Sequence, residues 1–167
     1  MVLNASIPVT VLDGEVITRL GIAAVLGLLL GLDRELRGHE AGMRTHGLIC
    51  FSAAMTTVSI LHLYFSLDGD RMDPLRIFEA TAGFIGIIGA GLIVFSRGRL
   101  HNITTAAHLW LAAVIGIACG AGQWPLVAIG SIIAVVMMTL LRLVEPKEER
   151  RLDEAAGDEE RPDRRGG

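Results

Sequence analysis

The sequence predicts an all-α integral membrane protein, a bundle of five transmembrane helices with the N-terminus outside and the C-terminus in the cytoplasm. Its 167 residues are 51% hydrophobic, with 20 glycines and only 5% aromatics, which is too apolar for an average soluble domain. Acidic and basic residues are absent from 45–67, 80–96 and 100–141. A spanning helix needs about 20 largely apolar residues, so the last of these runs has room for two.

The spans are expected within a membrane domain at 16–144, after a short N-terminal segment at 1–15. The first is less apolar than the rest because Arg19 lies near its outer end, from where a long side chain can reach the headgroups. Trp124, in the turn cluster GAGQWP, separates the last two spans and suits a membrane interface. The five spans are expected at about 16–32, 45–66, 78–96, 103–120 and 125–143.

The basic residues set the expected orientation. With the N-terminus outside, twelve of the fifteen arginines and lysines fall on the cytoplasmic side, as the positive-inside rule requires. The N-terminal region has no basic start and no A-x-A-like site, so we expect the first span to stay in the mature protein. The resulting expectation is a multi-pass protein whose first partner is the lipid bilayer.

Residues 145–167 differ sharply from the rest of the chain. They hold nine acidic and six basic residues and almost nothing apolar, which predicts a disordered cytoplasmic tail. The formal charge of −3 arises entirely there, because acids and bases cancel over 1–144. The charge balance therefore gives no indication of a nucleic-acid partner.

Small residues recur every fourth position in three of the expected spans. This spacing favours close helix packing, either within the chain or in a homodimer. A second interpretation is that the glycines of the third span loosen that helix and expose carbonyl groups to a ligand or ion. The glycines assigned to helix packing are Gly27, Gly31, Gly86, Gly89, Gly91, Gly116 and Gly120.

Several motifs resemble those of the MgtC/SapB family, in the same order, between about residues 17 and 143. The sequence departs from the family pattern at Asp33, at His108 and at Glu79 with Ala80. From the 167 residues given, we also expect a protein without the cytoplasmic C-terminal domain that many members carry. The motifs are GLDRE at 31–35, AGMRT at 41–45, GIIGAG at 86–91, ITTAAHLW at 103–110 and IGIACGAG at 115–122.

The resemblance implies a bacterial inner-membrane protein linked to growth under magnesium limitation and, in pathogens, to survival inside the host. Roles as a transporter and as a regulator of other membrane proteins are both associated with this family. The resemblance therefore identifies the family more firmly than it identifies a mechanism.

The loop between the first two spans is the candidate functional site. Its members are Asp33, Arg34, Glu35, Gly42, Arg44 and Thr45. The carboxylates of Asp33 and Glu35 could hold Mg²⁺ weakly, which is the one metal or cofactor that the sequence suggests. Three arginines in the same loop favour a structural ion-pair network instead, because magnesium loops usually carry surplus acid.

Four further polar residues are candidates inside or at the ends of the spans: Glu79, Thr104, Thr105 and His108. Hydroxyls at such depths mostly bond to helix carbonyls or to neighbouring helices. A hydrogen bond between helices is also the favoured role of His108, ahead of a proton relay. Glu79 lies where its charge suits a helix N-terminus.

The sequence contains no enzyme motif, so no catalytic residue is assigned. Two classes of function remain. A regulator or interaction protein would dock glycine-rich helix faces onto a second copy or another membrane protein. An ion carrier or channel, for Mg²⁺ or another cation, would need a polar pathway, and the spans hold few ionisable groups to line one. The first class is favoured.

Overall fold

The computed structural model describes residues 14–36, 38, 41–66, 73, 75–96 and 99–144. Within them the chain is helical apart from one short hairpin, which confirms the expected all-helical class at this level. The expected tail at 145–167 lies outside the described residues. The elements are α1 (Gly14–Leu36), α2 (Met43–Ser66), α3 (Arg76–Leu92), β1 (Val94–Ser96), β2 (Arg99–His101), α4 (Ile103–Gly120) and α5 (Trp124–Val144).

Three of these helices, α1, α2 and α4, are long and apolar enough to cross a membrane. The apolar stretches Phe78–Leu92 of α3 and Trp124–Leu140 of α5 are shorter. The chain is therefore a membrane protein by its helices, while the count of five spans stays a prediction.

The core is formed by α1, α2 and α4, which contact one another, whereas α3 packs mainly on α4. Mostly small side chains fill this core, with Ala23, Ala54 and Ala112 wholly buried. Large apolar side chains point outward instead, among them Phe84 and Ile87 of α3 at 70% and 73% exposure. Small residues inside and large apolar residues outside are the pattern expected of helices solvated by lipid.

The third helix is regular through all its glycines and ends at Leu92, four residues before the end of its expected span. The residues that follow pair as an antiparallel hairpin in which Val94 faces His101. Their β-branched and aromatic side chains suit a strand better than the end of a helix. Asn102, in the left-handed conformation with φ 66°, closes the segment by donating its side-chain amide to the Leu92 carbonyl at 3.2 Å.

Two compact units are distinguished along the chain, Met1–Ser131 and Ile132–Gly167. The first holds α1 to α4 and the first two turns of α5. The described part of the second is the remainder of α5. All contacts described below lie within the first unit.

Candidate functional site

The hairpin of α1 and α2 is closed by Glu35, from the last turn of α1. One carboxylate oxygen, Oε2, accepts a hydrogen bond from the backbone N–H of Met43 at 2.7 Å. Met43 begins α2, so the carboxylate satisfies an orphan donor and meets the positive end of the helix dipole. A Cβ on Gly42 would lie 2.5 Å from the same oxygen, which explains the glycine at this position. Glu35 thus acts as a helix cap.

Arg34, one residue earlier, turns into the core. Its side chain is 5% exposed, and Nη2 donates to the hydroxyl of Thr105, which is 1% exposed. Thr105 lies 71 residues further along the chain, in the first turn of α4. Of the two alternatives for these hydroxyls, Thr105 thus bonds to a neighbouring helix. Its donor, Arg34, was expected in the loop but belongs to the last turn of α1.

A histidine beside this pair is buried as well. His46, in the first turn of α2, has no exposed surface, and its Nδ1 lies 2.9 Å from the carbonyl oxygen of Gly42. The ring of His108 from α4 lies 6.4 Å from it, centroid to centroid, with the two planes at 71°. Arg34 is close enough to His46 for its charge to act on the imidazole. Arg34, His46, Thr105 and His108, named here the polar cluster, therefore meet at one end of the core.

Arg19 occupies the opposite end of the core. Its Nη1 donates to the carbonyl of Gly120 at 2.8 Å, and its Nη2 pairs with Glu15 one turn earlier on α1. The side chain is only 5% exposed, so the expectation that it extends toward the headgroups is wrong. The carbonyls at the end of α4 lack helical partners, and a buried guanidinium is better satisfied there than in lipid.

The chain turns sharply at the end of α4, next to the side chain of Arg19. Gly122 has φ 67° and donates to the Cys119 carbonyl at 3.0 Å, while Gln123 donates to Ala118 at 2.9 Å. This is a Schellman cap, for which glycine is the usual residue. A Cβ on Gly122 would also lie 2.8 Å from Arg19 Nη2. The turn predicted from the glycines before Trp124 is therefore present, and its Gly122 packs against the Arg19 guanidinium.

Four of the glycines assigned to helix packing are in close contact inside the core. A Cβ on Gly27 would lie 2.7 Å from the His46 carbonyl oxygen, and one on Gly31 would lie 2.5 Å from the Cα of Met43. A Cβ on Gly116 would overlap the carbonyl oxygen of Cys50. A Cβ on Gly120 would lie 2.5 Å from the Ala54 carbonyl oxygen. These glycines join α1 to α2 and α4 to α2.

The glycines of α3 behave differently. A Cβ added to Gly89 would be in ordinary contact, 3.5 Å from the Ala106 methyl group, but one added to Gly83, Gly86 or Gly91 would have no atom of the described residues within 4 Å. Gly83, Gly86 and Ala90 are all exposed and follow one another at steps of three and four residues, so they share a face of the helix. We name these three residues the α3 small-residue face.

The other predicted site residues lie around these contacts. Asp33 and Thr45 are half-buried, whereas Arg44, Glu79 and Thr104 are exposed. Within the described ranges, no group of three or more His, Cys, Asp or Glu side chains converges as a metal site. Two apolar grooves of about 360 and 320 Å³ flank α3, one against α2 and one against α4.

The sequence indicated Arg34, Glu35, Thr105 and His108, but it gave no reason to place them together. His46 was missed altogether. A histidine directly after the AGMRT motif, at the start of an apolar helix, was the available signal, and a lone histidine in such a place is not specific.

Comparison with known proteins places this sequence in a family. The sequence model of the protein family described as MgtC family matches residues 20–147. YhiD of Escherichia coli K12, whose name proposes it as a magnesium transporter, is 34% identical over 130 residues, which are 76% of this chain and 60% of that protein. SapB of Bacillus subtilis is 39% identical over 115 residues, covering 66% and 50%, and MgtC of Brucella abortus is 33% identical over 120, covering 72% and 48%.

The chain thus spans about half to three fifths of the length of these relatives. No solved structure matches it.

Proposed function

Because the chain belongs to the MgtC family, we propose that it is a multi-pass protein of the bacterial cytoplasmic membrane that regulates by contact rather than by catalysis. It docks onto a second copy of itself or another membrane protein, in cells adapting to magnesium limitation or stress. The observation that carries this proposal is the difference between the glycines of the core and those of α3.

The core supports the proposed orientation. The bond from Arg34 to Thr105 places the end of α1 beside the start of α4, and the bond from Arg19 to Gly120 places their other ends together. The basic loop before α2 therefore lies at the same end as the arginine-containing hairpin before α4. With that end in the cytoplasm, α3 and α5 complete five spans, and the N-terminus lies outside.

The length of α3 is compatible with its being one of the five spans, although a short one. Its 17 residues extend about 26 Å, slightly less than a hydrocarbon core of about 30 Å. A helix that is a little short is accommodated by local thinning of the bilayer or by association with other helices. Association is what the α3 small-residue face would provide.

That face carries the docking role. The four core glycines are already in close contact with α2, whereas a Cβ added to Gly83 or Gly86 would have no atom of the described residues within 4 Å. Small residues allow another helix backbone to approach closely, and dispersion forces then favour association in lipid. Ile87, four residues after Gly83 and three before Ala90, is exposed on the same side and would extend the contact.

Transport of Mg²⁺ or another cation is the second candidate, and the polar cluster favours it. Ionisable groups within a membrane domain often mark an ion path. Between this cluster and Arg19, however, the described core is filled by residues such as Ala23, Leu30 and Ala112. Packed apolar side chains offer no ligands to a hydrated divalent cation, so docking is the better-supported function.

Two measurements on the purified chain in liposomes test the proposal. Association is measured by energy transfer between donor-labelled and acceptor-labelled copies. Gly86→Leu is expected to weaken it by about tenfold or more, because the added side chain blocks close approach. Gly21→Leu on α1 is the matched control, since Gly21 is also exposed and open, and it should behave as the wild type.

If the chain does not associate with itself, photo-crosslinking from position 87 in cells should capture a membrane protein, and Gly86→Leu should abolish the adduct. The second measurement is Mg²⁺ uptake into the same liposomes. Uptake that requires only this protein and is lost in Asp33→Asn would refute docking as the function and support transport.

A further inference from the structure

His46 presents a buried nitrogen lone pair to the interior of the core. Its Nδ1 lies 2.9 Å from the Gly42 carbonyl, and a carbonyl can only accept, so Nδ1 carries the hydrogen. The neutral ring then has its lone pair on Nε2. This Nε2 has no hydrogen-bond partner in the described part of the chain, although the residue has no exposed surface. A histidine that binds a metal has the same arrangement, with its other ring nitrogen donating to a carbonyl.

A second imidazole lies at a distance that one metal ion can bridge. The ring centres of His46 and His108 are 6.4 Å apart. With metal–nitrogen bonds of about 2 Å, two imidazoles in line across an ion have centres roughly 6 Å apart, against roughly 5 Å at a tetrahedral angle. The observed separation fits the in-line arrangement. The 71° between the planes is compatible with it, because each ring can rotate about the nitrogen–metal axis.

The surroundings select the kind of ion. The charge of Arg34 acts on His46, and Coulomb repulsion from it is half as large for a monovalent as for a divalent ion. The described residues offer no third His, Cys, Asp or Glu at this place. Zinc usually takes four ligands, and Mg²⁺ demands oxygen ligands and water. A monovalent d¹⁰ ion such as Cu⁺ is satisfied by two nitrogens, and imidazole suits copper.

We propose that His46 and His108 form a buried, two-coordinate site for Cu⁺ between α2 and α4. The site goes beyond the proposed docking function and lies on different residues from the α3 small-residue face. An ion held there would tie the start of α2 to α4 next to the bond between Arg34 and Thr105.

The first test is Cu⁺ affinity of the purified full chain, measured under reducing conditions by competition with bathocuproine disulfonate. One Cu⁺ per chain is expected. His46→Gln and His108→Gln should each weaken binding by about a hundredfold or more, since even loss of an outer-shell partner costs about 10- to 100-fold. His62→Gln, on the same helix, should retain wild-type affinity. Wild-type affinity in His46→Gln, or a loss in His62→Gln, would overturn the site.

The second test does not depend on a variant that folds. X-ray absorption of the Cu⁺-loaded wild type should show a two-coordinate ion with two nitrogen neighbours and imidazole scattering. Sulfur neighbours, or three or four ligands, would refute the proposal. Neither outcome alters the energy-transfer measurement of docking, so the two proposals stand or fall separately.

Discussion

Replacing Gly31 with alanine is expected to separate α1 from α2. The new methyl carbon would lie 2.5 Å from the Cα of Met43, 2.7 Å from the carbonyl oxygen of Gly42 and 2.8 Å from the Met43 nitrogen. All three are backbone atoms, so no side-chain rotation can relieve the overlap. Ordinary contact begins at 3.4 Å, and the difference from 2.5 Å requires the backbones to move apart by about 0.9 Å.

A gap of this size forfeits a quarter to a half of each dispersion contact that it opens, and overpacking of this kind costs about 1–3 kcal/mol. The shift also moves the Met43 N–H away from Glu35, whose 2.7 Å hydrogen bond caps α2. The higher helix propensity of alanine returns at most about 1 kcal/mol. We therefore expect Gly31→Ala to destabilise the fold by about 2 kcal/mol, or roughly 30-fold in the unfolding equilibrium.

Two matched substitutions calibrate this value. At Gly47 the added methyl would meet the side chain of Leu28 at 2.9 Å, and a side chain can move, so Gly47→Ala should cost less. At Gly21 nothing lies within 4 Å, so Gly21→Ala should be neutral or slightly stabilising. Reversible unfolding by steric trapping in bicelles measures all three. Equal stabilities for Gly31→Ala and Gly21→Ala would refute the close contact between the helices.

Two further predictions concern the ends of the core. Arg34→Leu and Thr105→Val should be strongly non-additive in the same unfolding assay, with a coupling of about 0.5–3 kcal/mol, and additive effects would contradict their hydrogen bond. The proposed orientation is tested in a chain whose native cysteines are replaced. Arg44→Cys should react with an impermeant maleimide only after the cytoplasmic side is opened, whereas Ser66→Cys should react in intact spheroplasts. The reverse result would invert the topology.

The helices could be predicted from the sequence because they depend on local composition. The charge-free runs predicted α2 to α5, the apolar stretch at 16–32 predicted α1, and the turn cluster before Trp124 marked the break between α4 and α5. The early end of α3 was not predicted, because a short apolar stretch has the same hydropathy in a strand as in a helix. Only its β-branched and aromatic residues favoured the hairpin.

The partners of the charged residues could not be predicted in the same way. The sequence predicted Arg34 in a loop with three acidic residues, where spacing alone suggests an ion pair, but it lies in the last turn of α1. Its bond to Thr105, 71 residues away, depends on which face α1 presents to α4. The contact of Arg19 could not be predicted either. A basic residue near the end of a span suggests a position at the membrane interface, and only the fold shows that the end of α4 lies beside it. The resemblance to the family pointed to Arg34 and Thr105 through its motifs, but it did not indicate that they are in contact.

The two buried arginines fix the register of α1 against α4. Arg19 and Arg34 are 15 residues apart on α1, and their acceptors Gly120 and Thr105 are also 15 residues apart on α4. In antiparallel helices, equal spacing means that both bonds form at one register, over about 22 Å. Sliding by one turn would break both bonds between the helices, and a buried polar bond lost in a core of low dielectric is more costly than the loss of small apolar contacts. Arg19 would keep its pair with Glu15 on the same helix. The core glycines act on the other two helix pairs, because they bring α1 and α4 each into close contact with α2. Among the described residues, Gly83, Gly86 and Ala90 of α3 are exposed and make no comparable bond to the core, and they form the face that we propose for docking.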